Sequence, residues 1–140
     1  MNVKKILLPV DGSAHSDAAA EMAIGIAHDN EASVVLLHVR RAVPTGLGQP
    51  NADELLQYLT KGAEAVVQHY RTKLDDAAVD YLELIIGGDV GEVVCNVADV
   101  EKCDLIVMGS KGKSDLEGLI LGSATHKVLH STDLPVLVVK

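Results

Sequence analysis

A chain of 140 residues is long enough to close one hydrophobic core, and its 48% hydrophobic content is aliphatic, since Phe and Trp are absent and the aromatic residues are Tyr58, Tyr70 and Tyr81. Twelve basic against twenty acidic residues give a net charge of −8, which opposes broad contact with DNA, RNA or anionic lipid, and so few aromatics leave single-stranded nucleic acid almost no stacking platform. The apolar run near the N-terminus ends at Pro9 and Asp11 with no small-residue cleavage site, and Cys95 and Cys103 lack metal or redox spacing, so the expectation is a cytosolic, reduced, single domain over residues 1–140 that does not enter membranes.

Five aliphatic runs have strand length: residues 3–10, 32–39, 81–86, 104–109 and 135–139. The first contains the continuous stretch Ile6-Leu7-Leu8, as expected for a strand buried on both faces. Pro9 cannot donate a ladder hydrogen bond, which puts it at that strand's carboxyl end. Ala18, Met22 and Ile26 then repeat at helical spacing, with Ser13 or Ser16 available as the cap.

The second run, with Val34-Val35-Leu36-Leu37, is also continuous. Pro44, Gly46, Gly48 and Pro50 mark residues 42–50 as a flexible loop, read first as a long connection and second as a lid. A second helix carries Leu55, Leu59, Ala63, Val66, Val67 and Tyr70, with Asn51 or Asp53 at its start.

In the third run Tyr81-Leu82-Glu83-Leu84 alternates, the pattern of an edge strand, and Asp89 followed by Glu92 predicts a cap for the third helix. Leu105-Ile106-Val107-Met108 is continuous again and belongs inside the sheet. The last run, Pro135-Val136-Leu137-Val138-Val139, is apolar and β-branched and has no helix after it, so an unpaired edge is expected to meet its twin in a homodimer. Strict alternation of strand and helix predicts an α/β fold with a parallel sheet and helices on both faces.

Ligands of such sheets bind beyond the carboxyl ends of the strands, where strand order reverses. The first strand ends in Val10-Asp11-Gly12-Ser13. The fourth ends in Met108-Gly109-Ser110-Lys111-Gly112, and nine residues later comes Gly122-Ser123-Ala124-Thr125 at the start of the last helix. Glycine at 109, 112 and 122 permits positive φ and close approach, so that successive N–H groups can converge with a helix N-terminus on an anion. Spacing alone fits a tight turn and a helix entry as well as it fits a phosphate site, and Asp11 fits a helix cap as well as a ligand contact. Lys111, Lys113 and Lys127 against Asp115 and Glu117 leave residues 109–127 one charge positive in an acidic chain. His126 and His130 lie one helical turn apart without a third ligand nearby in sequence, and Ser13, Ser110 and Ser123 have neither a nucleophile-elbow setting nor a paired base. No catalytic or metal-binding residue is expected.

These residues resemble the universal stress protein family, in its ATP-binding branch with the G-x2-G-x9-G-S loop. The likeness rests on Gly109, Gly112, Gly122 and Ser123, on Ile6-Leu7-Leu8-Pro9-Val10-Asp11-Gly12-Ser13, on Leu36-Leu37-His38-Val39, on residues 104–109 and on residues 135–139, and it spans nearly the whole chain. It implies a three-layer, Rossmann-like sheet of order 3-2-1-4-5, of the adenine nucleotide alpha hydrolase type, dimeric through the last strand. ATP or AMP would lie between strands one and four, with Mg2+ carried by the nucleotide. By position, Asp11 would contact the ribose, Val39 the adenine, and Met108 the base or ribose pocket. Gly109, Gly112, Gly122 and Ser123 would hold phosphates with Thr125 nearby, while Pro9, Val10, Lys111 and Ala124 complete the expected set. Ala124 departs from a bulkier residue usual there, and Asp115 and Glu117 oppose tight triphosphate binding. Three functions follow: a nucleotide-binding stress-response module with an unidentified protein partner, a slow ATPase or adenylyl-transfer enzyme, and a nucleotide-free dimeric scaffold.

Overall fold

The computed structural model describes residues 2–113 and 115–140; Met1, at the head of the N-terminal run, and Ser114, inside the glycine loop, lie outside the described residues. In chain order the elements are β1 (Lys5–Pro9), α1 (Ala14–Asn30), β2 (Ser33–Arg40), α2 (Asn51–Asp76), β3 (Tyr81–Gly87), α3 (Val90–Val100), β4 (Leu105–Gly109), α4 (Ser123–Ser131) and β5 (Val136–Val139). They form a five-stranded, all-parallel sheet in the order β3-β2-β1-β4-β5, as the resemblance implies.

The three continuous aliphatic strands occupy the middle of the sheet because both of their faces are covered. Side chains alternate along a strand, so Ile6 and Leu8 of β1 face one layer and Leu7 the other. On the first face they join Val34, Leu36 and Val107 beneath α1 and α2, with Ala19, Ala23, Val67 and Tyr70 supplying the helix side. On the second, Leu7, Val35, Leu37, Ile106 and Met108 pack under α3 and α4 through Val94, Val97 and Val128. Alanine at 19, 20, 23 and 27, each at most 1% exposed, gives α1 a thin face and brings its backbone close to the sheet.

The half-buried β3 lies at one edge, where its alternation placed it. Pro9 closes β1 opposite Leu37, and the ladder then continues through Val10 N–H to the Leu37 carbonyl at 2.8 Å. Ser13 caps α1, accepting from Ser16 N–H at 3.1 Å, while Ser16 is buried within the first turn. Asp89 caps α3 through Glu92 N–H at 3.1 Å, but the Glu92 carboxylate turns to Lys127 instead of closing the box. At α2 the expected caps are corrected: Asn51 and Asp53 lie inside the helix, Pro50 holds the cap position, and Gln49 Oε1 accepts from Asp53 N–H at 3.2 Å. Proline at the cap offers no side-chain acceptor, so the longer Gln49 side chain reaches forward.

Candidate functional site

Strand order reverses between β1 and β4, so the loops leaving them diverge to opposite faces and open a crevice at the carboxyl edge. The cleft there has a volume of about 270 Å³, near the lower bound of ordinary small-molecule sites at roughly 300 Å³. Pro9, Val10 and Asp11 line it from the end of β1, and Val39 from β2. Met108, Gly109, Lys111 and Gly112 line it from β4 and its loop, and Ser123, Ala124 and Thr125 from α4. Gly122 is the expected site residue outside the lining: it is buried beneath the loop, and its N–H donates to the Ser110 carbonyl at 2.6 Å.

The β1 side is held from behind. His38 Nδ1 lies 2.8 Å from the Val10 carbonyl oxygen, and Asp11 N–H donates to Ser16 Oγ at 3.1 Å. Gly12 adopts φ +84°, a conformation that side chains strain to reach, and its N–H donates to the Tyr70 phenol oxygen at 3.2 Å. On the β4 side the buried Ser110 donates its N–H to the Val139 carbonyl at 2.8 Å, and its hydroxyl lies 3.2 Å from His15 Nδ1, which corrects the expectation that Ser110 has no base beside it. Thr125, 2% exposed, donates its hydroxyl to the Gly109 carbonyl at 2.9 Å and so fastens α4 to the end of β4.

Positive φ at Gly109, Gly112 and Gly122 is an expectation the structure overturns; among the described residues the glycines with positive φ are Gly12, Gly46, Gly48, Gly88 and Gly118. Crowding is what a side chain would meet at the other three, against main chain at Gly109 and Gly122 and against a side-chain end at Gly112. A Cβ on Gly109 would lie 2.8 Å from His15 Cβ and 2.9 Å from the His15 carbonyl carbon. One on Gly112 would lie 2.6 Å from Asp11 Oδ2, and one on Gly122 only 2.2 Å from Asp115 Oδ2 and 2.8 Å from Lys111 Cα.

Backbone N–H groups of the loop and of the α4 N-terminus converge on oxygen anions. Asp11 accepts from Ser13 N–H at 2.9 Å through Oδ1 and from Lys113 N–H at 3.0 Å through Oδ2. Asp115 Oδ2 accepts from Gly112 N–H at 2.6 Å, and Oδ1 lies 3.4 Å from Ser123 N. The α4 N-terminus adds a partial positive charge. Among the described residues Lys111 makes no ion pair, whereas Lys127 binds Asp89 at 3.0 Å and Glu92 at 3.3 Å. The Lys127 ammonium, aided by Glu92 N–H, holds the Asp89 carboxyl below the usual carboxylate range.

Asp89, Gly91, Asp115 and Lys127 also line the cleft and are absent from the set read off the sequence. Gly91 was the available signal: glycine in the first turn of a helix points to close approach, and a Cβ there would sit 2.9 Å from Lys127 Cβ. His126 and His130 are exposed with ring centroids 4.5 Å apart, and no group of three or more metal-ligating side chains occurs among the described residues. Both cysteines are free, and burial pushes the Cys103 thiol up to about 11. No helix among the described residues is long and apolar enough to cross a membrane.

The sequence profile of the universal stress protein family matches residues 2–140. Universal stress protein MJ0531 of Methanocaldococcus jannaschii is 38% identical over 140 residues, an alignment covering 98% of this chain and 82% of the relative. The solved structure of MJ0577, from the same organism, superposes with a TM-score of 0.90 at 31% identity and covers 100% of this chain and 97% of its own. A family member from Arabidopsis thaliana, solved with AMP bound, shares the fold with a TM-score of 0.71 at 18% identity, covering 98% of this chain and 91% of its own. This chain therefore belongs to the universal stress protein family.

Proposed function

We propose that the protein is an adenine-nucleotide-binding regulatory module of the stress response, taking ATP or AMP in the cleft between β1 and β4 and acting in the cytoplasm as a homodimer through β5. The observation that carries this reading is the convergence of Gly112 and Ser123 N–H groups on the Asp115 carboxylate at the mouth of the cleft. Carboxylate oxygens stand there for the phosphate oxygens of a nucleotide, since both are anionic acceptors of the same hydrogen bonds. The Arabidopsis relative bound to AMP supports an adenine nucleotide as the ligand of this fold.

In this reading Val39 and Met108 flank the base, and Asp11 faces the ribose. Gly109, Gly112, Ser123 and Ala124 surround the phosphates, Lys111 supplies a countercharge, and Thr125 and Gly122 keep α4 in place. Pro9 and Val10 form the floor. Mg2+ would arrive on the phosphates, with the Asp11 and Asp115 carboxylates both lining the same cleft. The loop also carries Leu116 and Ile120, 75% and 83% exposed, so occupancy would reshape an apolar surface open to a protein partner.

Mass spectrometry of ligand released from gently denatured protein, with calorimetric titration of ATP, ADP and AMP, tests the proposal. Near-stoichiometric adenine nucleotide, or saturable binding, supports it. No retained ligand and no binding up to millimolar concentration overturns it in favour of a nucleotide-free dimeric scaffold.

A further inference from the structure

Asp115 takes up the backbone N–H groups that the nucleotide-binding reading assigns to phosphate. Its Oδ2 accepts from Gly112 N–H at 2.6 Å, and its Oδ1 lies 3.4 Å from the N and 3.5 Å from the Oγ of Ser123, the first residue of α4. The same carboxylate rests against Gly122, where a Cβ would stand only 2.2 Å from Oδ2. One side chain thus bridges the loop after β4 and the N-terminus of α4, the two sources of N–H groups on that side of the cleft. It is held closely at Gly112 and loosely at Ser123, since the first distance is that of a strong charge-assisted bond and the other two are at the outer limit of hydrogen bonding. Asp11 differs: it stands at the end of β1 and is fixed by Ser13 N–H and by Lys113 N–H, so it forms part of the cleft wall.

We infer that Asp115 is a specificity-determining residue that discriminates against nucleotide phosphate by occupying its position, an inference that rests on the nucleotide-binding reading of the cleft. Any anion that reaches Gly112 and Ser123 must displace this carboxylate and then remain near a like charge, which disfavours both. A nucleoside without phosphate leaves Asp115 in place. The penalty therefore falls on AMP and more heavily on ATP, and it makes the unphosphorylated base and ribose a larger share of the total affinity than in a loop with a neutral residue at 115. Specificity of this kind arises from a built-in repulsive element.

The test compares the wild-type chain with Asp115→Asn and Asp115→Ala in titrations with adenosine, AMP and ATP, with and without Mg2+. Asparagine keeps an oxygen for Gly112 N–H and removes only the charge, whereas alanine removes both, so a folding defect in one variant leaves the other informative. The expected result is adenosine affinity within about twofold in all three proteins, with ATP affinity raised about tenfold or more in the variants. Equal or weaker ATP binding by the variants, with adenosine binding retained, overturns the role of Asp115 and leaves nucleotide binding standing. Weakening confined to the Mg2+ titrations also overturns it, by making Asp115 a partner of the metal. No binding of any of the three compounds to any of the proteins overturns both readings together.

Discussion

Tyr70 on α2 donates its phenolic proton to Asp17 Oδ1 on α1 at 2.6 Å, and the same phenol oxygen accepts from Gly12 N–H at 3.2 Å at the turn that ends in the cleft. It also lies 2.9 Å from Ser16 Oγ, which receives Asp11 N–H. One buried hydroxyl in an otherwise aliphatic core therefore links α2, α1 and the loop that carries Asp11.

Tyr70→Phe should lower stability at pH 7 by about 1–3 kcal/mol, because it leaves Gly12 N–H and the Asp17 oxygen without their partner. Urea denaturation measures it. Burial first, and then the bond to Asp17, raise the Tyr70 pKa above that of an ordinary phenol. The folded state consequently keeps a proton that the unfolded state releases above pH of about 10, and this contribution is present below that pH and lost as pH rises further. The difference between wild type and Tyr70→Phe should shrink from pH 9 to pH of about 11; a constant difference would contradict this account.

Gly109→Ala and Gly112→Ala should separate stability from binding. At 109 the new methyl meets the His15 main chain, which cannot move without shifting α1, so a loss of about 1–3 kcal/mol is expected. At 112 it meets the end of the Asp11 side chain, a softer obstacle than main chain that can shift if Asp11 releases Lys113 N–H. There the fold should persist with under about 1 kcal/mol lost, while ATP binding weakens by about tenfold or more as Asp11 and the loop are displaced. Paired denaturation and calorimetry check both.

The Arg71 guanidinium on α2 grips Glu83 of the edge strand β3, with Nη2 to Oε2 at 2.7 Å, and holds the Glu83 carboxyl below its ordinary range. A depressed carboxyl pKa contributes stability that is present above the unfolded value of about 4.3 and lost as pH falls through the folded one. Glu83→Gln should therefore cost no more than about 1 kcal/mol at pH 7, given the partial exposure of the pair, and that gap should narrow as pH falls below about 4.3. Denaturation curves across this interval report it.

Sedimentation should show a dimer at micromolar protein if β5 pairs with its twin. The Pro135 and Val139 carbonyls accept from Ile106 and Ser110 of the β4 side, so alternate positions 136 and 138 turn their N–H and C=O groups outward. Val138→Pro removes an outward donor while sparing the bonds to β4, and it should yield monomer with the fold retained. An unchanged dimer would place the interface elsewhere.

By itself the sequence determined the element order, the interior positions of β1, β2 and β4, the edge position of β3, and the two chain segments that meet at the cleft. These follow from local pattern: continuous aliphatic runs require two covered faces, alternation requires one, and Pro9 cannot continue a ladder. Only the tertiary structure decided what confronts what. The exclusion of side chains at Gly112 and Gly122 by Asp11 and Asp115, the capture of Lys127 by Asp89 and Glu92 from another helix, and the anchoring of Gly12 by Tyr70 all join residues whose separation in sequence carries no trace of their contact. A glycine advertises that space is needed, but whether backbone conformation or a neighbouring atom demands it depends on how α1, α4 and the loop pack against the sheet, and that is set by side-chain volumes summed over the whole core.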